Sequence, residues 1–164
     1  MLCGIGLAMR LTLFSDIGLR VLIYLSRAGD SRMPVTVAEV AGQFDIPQSH
    51  LVKVVGHMAK AGWVQALRGR NGGIRLLVEP ASLRIGGVLR ELEGDSELVN
   101  CEALACRLRA DCRLRGALQA GMKAFYDAMD QYSLADLVTG NTGEQIVHMH
   151  RSFAAASSPT EVPR

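Results

Sequence analysis

The chain has few aromatic side chains, few histidines and no long apolar run. Aromatic residues make up only 5% of the 164 residues, and an apolar content dominated by Leu, Val, Ala and Ile favours helices. No run of eighteen or more apolar residues occurs, so we expect no membrane-spanning helix. The histidines are His50, His57, His148 and His150. None belongs to a His/Asp/Cys pattern typical of an active site, so we expect that the chain is not an enzyme.

Net charge is also small, at +2, and by itself does not indicate a nucleic-acid-binding protein. Its distribution is more informative. Residues 47–84 contain six Lys or Arg and one acid, Glu79, giving +5, so the rest of the chain carries −3. We therefore expect one basic segment, over residues 47–84, in a chain that is otherwise mildly acidic.

Cysteine is scarce, but three of the four cysteines lie together. Four residues separate Cys101 from Cys106, and five separate Cys106 from Cys112. An odd set that cannot all pair internally fits a reducing, cytoplasmic compartment. Thiolates select zinc, copper(I) or iron–sulfur clusters. Zinc sites usually need a closer pair and a fourth ligand, and no histidine lies between residues 59 and 147. The spacing favours an iron–sulfur cluster over zinc, with a disulfide or chance still open.

The N-terminal half predicts a helix-turn-helix. Apolar residues recur at helical spacing between Thr12 and Arg27. A second helix follows the capping-box pair Thr36 and Glu39, and a break at residues 45–47 precedes a third helix over about residues 48–61. The polar residues at the start of that third helix, where DNA bases are normally reached, are Gln48, Ser49, His50 and Lys53. A plain helical hairpin is the alternative.

Two strand-like runs come next, over residues 62–67 and 74–78. The Asn-Gly-Gly sequence between them favours a tight hairpin turn. A hairpin directly after a helix-turn-helix is a wing, suited to phosphates or a minor groove. Its candidate DNA-contacting residues are Arg68, Arg70, Asn71 and Arg75. The alternative is a solvated basic loop on another kind of α+β domain.

A long one-sided helix is predicted beyond the cysteines, because apolar residues recur every three or four positions. They are Leu114, Leu118, Met122, Phe125, Met129 and Tyr132. Such a helix needs a partner in so small a domain, so we predict that it forms a dimer interface. Residues 139–164 lack this periodicity, and we predict a disordered tail there.

These patterns together predict a mainly α-helical fold with a small β-hairpin, that is, a winged helix-turn-helix domain plus a long dimerisation helix. The predicted divisions are an extension over 1–8, a DNA-binding domain over 9–93, a cysteine loop over 94–112, a dimerisation helix and closing turn over 113–138, and the tail over 139–164.

This combination resembles the winged-helix iron–sulfur repressors, and most closely their nitric-oxide-sensing branch. The similar stretches are residues 9–20, 51–54, 68–76, 84–93, 98–101 and 132–138. The resemblance implies a homodimer that binds a palindromic double-stranded DNA operator. It also implies one cluster per subunit, 4Fe–4S or alternatively 2Fe–2S, and release of the operator when nitric oxide attacks that cluster.

The resemblance further implies the ligands. Cys101, Cys106 and Cys112 would bind the cluster, and Asp16 from the partner subunit would be the fourth ligand. Judged from the pattern alone, Asp16 and Arg20 form an i,i+4 surface ion pair.

The chain departs from the family pattern at several positions. Ile17 stands where tyrosine is common, and Pro47-Gln48 where a serine often starts the recognition helix. Arg115 replaces the histidine ligand of related iron–sulfur biogenesis regulators, which argues against that branch. An iron- or cluster-status-responsive regulator of the same family is the alternative function. An iron–sulfur electron-transfer protein is the alternative from another class, but it would not need a basic wing.

Overall fold

The computed structural model describes residues 10–28, 34–69, 72–94, 98–99, 101, 105–108 and 110–157. The elements within these residues are α1 (Leu13–Ser26), α2 (Val37–Phe44), α3 (Gln48–Lys60), β1 (Val64–Leu67), β2 (Gly73–Leu76), α4 (Ile85–Glu93), α5 (Arg113–Met129), α6 (Leu134–Leu137) and α7 (Gly140–Ser157). The fold is mainly helical with one small hairpin, as the sequence predicts. No helix in the described part is long and apolar enough to cross a membrane.

The first two helices begin at threonine caps. The Thr12 hydroxyl accepts a hydrogen bond from the Ser15 N–H at 3.2 Å, and the Thr36 hydroxyl accepts one from the Glu39 N–H at 3.0 Å. Each cap satisfies a helix N–H that lacks a partner within the helix. Asp45, in the left-handed region with φ of 52°, ends α2, and Pro47 is the N-cap residue of α3. The helices α2 and α3 and the tight turn between them therefore form the predicted helix-turn-helix.

A single apolar core joins these helices to the hairpin and to α4. Its fully buried side chains include Val21, Leu22, Val40, Leu51, Met58, Ile74 and Leu89. The hairpin is antiparallel, with Val64 paired to Leu76 and Leu67 to Gly73. Val35 exchanges two backbone hydrogen bonds with Ile74, at 2.7 and 3.1 Å, and so fixes the hairpin to the segment before α2. The helix-turn-helix and the wing thus form one packed unit.

The hairpin turn closes between Gly69 and Gly72, so it begins before the predicted Asn-Gly-Gly sequence. Gly69 has a φ of 103°, in the region that favours glycine, and its carbonyl accepts a hydrogen bond from the Gly72 N–H at 2.9 Å. The strands are shorter than the predicted runs. Arg70 and Asn71 lie outside the described residues.

Helices α4 and α5 pack at unusually close range around Gly86. A Cβ atom at Gly86 would overlap the Tyr126 carbonyl oxygen and the Asp130 carboxylate. The Asp130 carboxylate accepts a hydrogen bond from the Gly87 N–H at 2.8 Å and pairs with Arg90 at 2.6 Å. The end of α5 therefore satisfies a free N–H at the start of α4.

We expect Gly86→Ala to lower the free energy of unfolding by about 2–4 kcal/mol, because backbone atoms would have to move apart. Gly87→Ala is the matched control, since a Cβ there meets nothing within 4 Å. The control variant is expected to be neutral or up to about 1 kcal/mol more stable, because alanine favours a helix over glycine. Urea unfolding of both variants measures the difference. Equal stabilities would contradict the close α4–α5 contact.

The prediction of a disordered tail over 139–164 is wrong for Gly140–Ser157, which form the helix α7. Ile146 is buried and Met149 packs against the core. At the start of the helix, the Arg27 guanidinium donates to the Val138 carbonyl at 2.7 Å. The helix is held by these sparse tertiary contacts rather than by a strong apolar stripe. Residues 158–164, like the predicted extension over 1–8, lie outside the described residues.

Candidate DNA-binding, cysteine and dimer sites

The predicted DNA-contacting residues of the third helix are presented together on α3. Leu51, Val54, Val55 and Met58 bury one face of this helix in the core. That orientation leaves the polar residues of its first two turns exposed to solvent. They are Gln48, Ser49, His50 and Lys53. An exposed polar N-terminal end on the second helix of a helix-turn-helix is the geometry in which side chains enter a major groove.

The described part of the wing adds positive charge beside this helix. Arg68, directly after β1, and Arg75, on β2 opposite Gln65, are both exposed. Guanidinium groups on a hairpin next to a recognition helix suit phosphate contacts.

Helix α1 contacts the recognition helix, α3, through a pair of rings. The Phe14 ring meets the His57 ring edge to face, with centroids 5.5 Å apart. The His57 Nε2 atom lies 3.1 Å from the Glu91 carboxylate of α4. His57 therefore joins three helices of the DNA-binding domain, which no sequence motif indicates.

The three clustered cysteines are free thiols on the segment that leads into α5. Cys101 is buried, while Cys106 and Cys112 are partly exposed. The Cys106 N–H donates to the Cys101 carbonyl at 3.1 Å, so the backbones of these two residues are in direct contact. Cys112 is the N-cap residue of α5, at a helix end whose dipole favours a negatively charged ligand atom.

The donor set fits an iron–sulfur cluster, because three free thiols occur within twelve residues and soft thiolates are the ligands such clusters use. Within the described residues, no group of three or more His, Cys, Asp or Glu is placed to hold a metal ion. The described part of the chain therefore carries three thiol donors without gathering them around one point.

Asp16 lies in the first turn of α1 and is about half exposed. Its carboxylate accepts a hydrogen bond from the Arg20 guanidinium at 3.0 Å. This is the i,i+4 ion pair that the pattern alone suggests. The cluster-ligand role of Asp16 remains a prediction, which concerns the partner subunit.

Helix α5 has an exposed apolar face. None of its 17 residues is buried. Leu114 is 63% exposed and Phe125 is 38% exposed, whereas Leu118, Met122 and Met129 are partly covered. Beside Phe125 lies a cavity of about 470 Å³, lined also by Leu11, Leu19, Met122, Met129 and Tyr132. A long helix with an open apolar groove beside it has the character of a protein–protein interface.

The fold, the exposed α3 and the basic hairpin define a winged helix-turn-helix transcriptional regulator. A family model named Rrf2, described as an iron-dependent transcriptional regulator, matches residues 11–140. The chain therefore belongs to the Rrf2 family of transcriptional regulators. Rrf2 proteins are DNA-binding dimers rather than enzymes, and they include iron–sulfur regulators.

Solved structures share this fold. The oxidised form of Staphylococcus aureus CymR is 22% identical with a TM-score of 0.62, covering 80% of this chain and 98% of that chain. A Listeria innocua transcriptional regulator is 25% identical with a TM-score of 0.63, covering 81% and 88%. The T. potens IscR is 18% identical with a TM-score of 0.62, covering 93% and 94%.

Proposed function

We propose that this Rrf2 regulator is a nitric-oxide-responsive repressor of the NsrR type. In this proposal a homodimer binds a palindromic operator, carries one iron–sulfur cluster per subunit and releases the operator when nitric oxide is present. The observation that carries the proposal is the set of three free thiols, Cys101, Cys106 and Cys112, immediately before the exposed face of α5.

The proposed ligands are these three cysteines and the partner subunit's Asp16. Bound by these residues, a cluster would supply iron able to bind nitric oxide, and the Asp16 carboxylate would be the weakest donor of the four. Arg107 follows Cys106 and Arg113 follows Cys112 in the sequence. Their positive charges partly offset the negative charge of three thiolates. Arg115 stands where the biogenesis regulators have histidine, and a guanidinium is not a metal ligand.

The described contacts suggest how a change at these ligands reaches DNA. Asp16 lies on α1, and α1 packs on α3 through Phe14 and His57. Cys112 lies directly before α5, the proposed dimer helix. Ligands shared between subunits therefore tie α1 of one subunit to α5 of the other and hold the two recognition helices at one spacing. If losing the shared ligands reduces the free energy of operator binding by about 3 kcal/mol, operator affinity falls roughly a hundredfold.

The DNA contacts can be tested through the salt dependence of binding. We expect Lys53→Ala to weaken binding to operator and non-operator DNA alike, and to reduce the slope of log K against log salt concentration by about one unit. Arg151→Ala is the charge-matched control, because Arg151 is exposed on α7 and lines a cavity with Arg27 and Glu144 rather than with residues of α3. Fluorescence anisotropy over a salt series measures both slopes. An unchanged slope for Lys53→Ala would place α3 away from the phosphates.

The runner-up is an iron- or cluster-status-responsive regulator with the same three cysteines. We expect an iron chelator, added anaerobically to the operator complex, to leave affinity within about twofold over the time in which nitric oxide abolishes binding. The opposite result would favour the runner-up. Iron and sulfide analysis of anaerobically purified protein, with a visible spectrum, distinguishes 4Fe–4S from 2Fe–2S. An electron-transfer protein would hold a cluster but show no specific DNA binding.

A further inference from the structure

The recognition helix α3 carries one large apolar side chain on its exposed face. Val52 is 58% exposed, while the other large apolar side chains of this helix are buried in the core. Its neighbours at helical spacing are Gln48 and Ser49 in the turn before and Gly56 in the turn after, and all three are exposed. Val52 is therefore an isolated apolar group on a polar face, rather than part of a contiguous apolar patch that would suit a protein partner.

The fold does not account for the residue types at positions 52 and 56. Valine is a poorer helix former than alanine, because its branched side chain loses rotamer freedom against the preceding turn. Gly56 is poorer still, although a Cβ atom there would meet nothing within 4 Å. A notch without a side chain thus follows Val52 by one turn. Both residues shape the outer surface of α3 and slightly destabilise the helix.

The chemistry of the major groove identifies what an apolar side chain can contact there. Base edges in this groove present hydrogen-bond donors and acceptors, and the thymine C5-methyl group is the apolar feature among them. A valine placed against a cytosine amino group or a guanine carbonyl would remove water from that group without replacing its hydrogen bond. Val52 therefore suits thymine and disfavours a base that presents only polar groups.

Gln48 gives this contact a polar neighbour. Side chains four residues apart on a helix have Cβ atoms about 5–6 Å apart, and successive bases of one strand are about 3.4 Å apart along the DNA axis. Gln48 and Val52 can therefore face base pairs that are one or two steps apart. A glutamine amide pairs with the N6 and N7 atoms of adenine, so the two side chains together suit an adenine and a thymine in neighbouring base pairs.

We propose that Val52 is a specificity-determining residue, which packs on the C5-methyl group of one thymine in each half-site of the operator. The notch at Gly56 lets the base edge approach the helix beside Val52. This inference rests on the proposed docking of α3 in the major groove of operator DNA, and it adds the chemical group that α3 recognises there.

The experiment starts from double-stranded DNA that the full-length, anaerobically purified protein selects from a random-sequence library. Each thymine of the selected site is then replaced in turn with deoxyuridine, at the same position of both half-sites. Deoxyuridine lacks only the C5-methyl group, so its pairing with adenine is preserved. Dissociation constants are measured at one fixed salt concentration for wild type, Val52→Ala and Gln48→Ala, and melting temperatures are measured for the same proteins.

At one thymine position, deoxyuridine is expected to weaken wild-type binding about fourfold for each methyl group removed, and so about fifteenfold for two half-sites. The other thymines are internal controls. For Val52→Ala the same replacement should have less than about a twofold effect. Gln48→Ala is the control on the same face of α3, and it should bind more weakly overall but keep the wild-type methyl effect. Val52→Ala should melt at the same temperature as wild type or higher, because alanine favours the helix.

A selected site in which no thymine shows a methyl effect, or a methyl effect that Val52→Ala keeps in full, would overturn the role of Val52 and leave operator binding intact. Loss of the methyl effect in Gln48→Ala as well would overturn it too, because the effect would then reflect the docking of α3 in general. A melting temperature several degrees lower for Val52→Ala would assign Val52 to the fold instead. If wild type selected no DNA sequence at all, the proposed operator binding itself would be contradicted, and the role of Val52 with it.

Discussion

Replacing Phe125 with aspartate is expected to convert the dimer into monomers and to lower operator affinity by at least about a hundredfold. Phe125 is the aromatic residue at the centre of the exposed α5 face, beside the apolar cavity of about 470 Å³. In a dimer that buries this face, an unpaired carboxylate would lose its hydration without a compensating partner, which costs several kcal/mol.

The loss of DNA binding follows from the loss of the dimer. Two recognition helices on one rigid dimer engage two half-sites together, whereas a monomer binds each half-site separately and weakly. Sedimentation velocity at micromolar concentration measures the assembly, and anisotropy measures the operator affinity.

Ala120→Asp is the matched control for Phe125→Asp. Ala120 is exposed on the same helix, about 140° around the axis from Phe125. We expect this variant to remain a dimer and to bind the operator normally. A dimeric Phe125→Asp protein, or a wild-type monomer at micromolar concentration, would contradict the proposed interface.

The cysteine variants have the second large expected effect. Cys101→Ala, Cys106→Ala and Cys112→Ala should each lose the cluster and bind the operator roughly a hundredfold more weakly than the loaded protein. Each substitution removes one of three thiolate donors, and the chain has no nearby histidine to replace it. Iron and sulfide content and anaerobic anisotropy are the two measurements.

Cys3→Ala is the control for these variants, because Cys3 lies far along the sequence from the cysteine segment. It should keep both the cluster and the operator affinity. Cluster-free cysteine variants that bound the operator as tightly as loaded wild type would separate the cluster from DNA binding.

The sequence predicts the DNA-binding domain well because local chemistry determines its elements. Thr36 caps α2 where the capping-box pattern places it, and α1 begins directly after Thr12, where the helical apolar spacing begins. The predicted break at residues 45–47 separates α2 from α3, and the glycine-rich stretch before β2 forms a hairpin turn. Short-range signals suffice for elements whose ends and buried faces are encoded within one or two turns.

Long-range contacts limit the prediction elsewhere. The Glu39 side chain fits a capping box by pattern, yet it turns to Tyr24 and His150, more than a hundred residues along the chain in the second case. Helix α7 was missed because it is stabilised by Ile146, Met149 and His150 against distant helices rather than by a regular stripe.

The cysteine segment is predictable in chemistry but not in shape. Residue type and spacing identify thiolate donors, since these depend only on composition. In the proposed dimer their arrangement depends on a bound group and on a second subunit, and neither is encoded in local propensity. For the same reason Asp16 fits both an ion pair with Arg20, which is present, and a ligand role across the dimer.

The most direct test of the account is one anaerobic titration in which nitric oxide is added to cluster-loaded wild-type dimer bound to a fluorescent operator. Operator anisotropy and cluster absorbance are recorded together in the same cuvette. We expect DNA release to follow the loss of cluster absorbance, with operator affinity falling about a hundredfold. The Cys→Ala variants should bind the operator weakly before nitric oxide is added, and nitric oxide should not change their affinity. Operator binding that survives complete loss of the cluster absorbance would contradict the central claim that the cysteine-bound cluster is the switch.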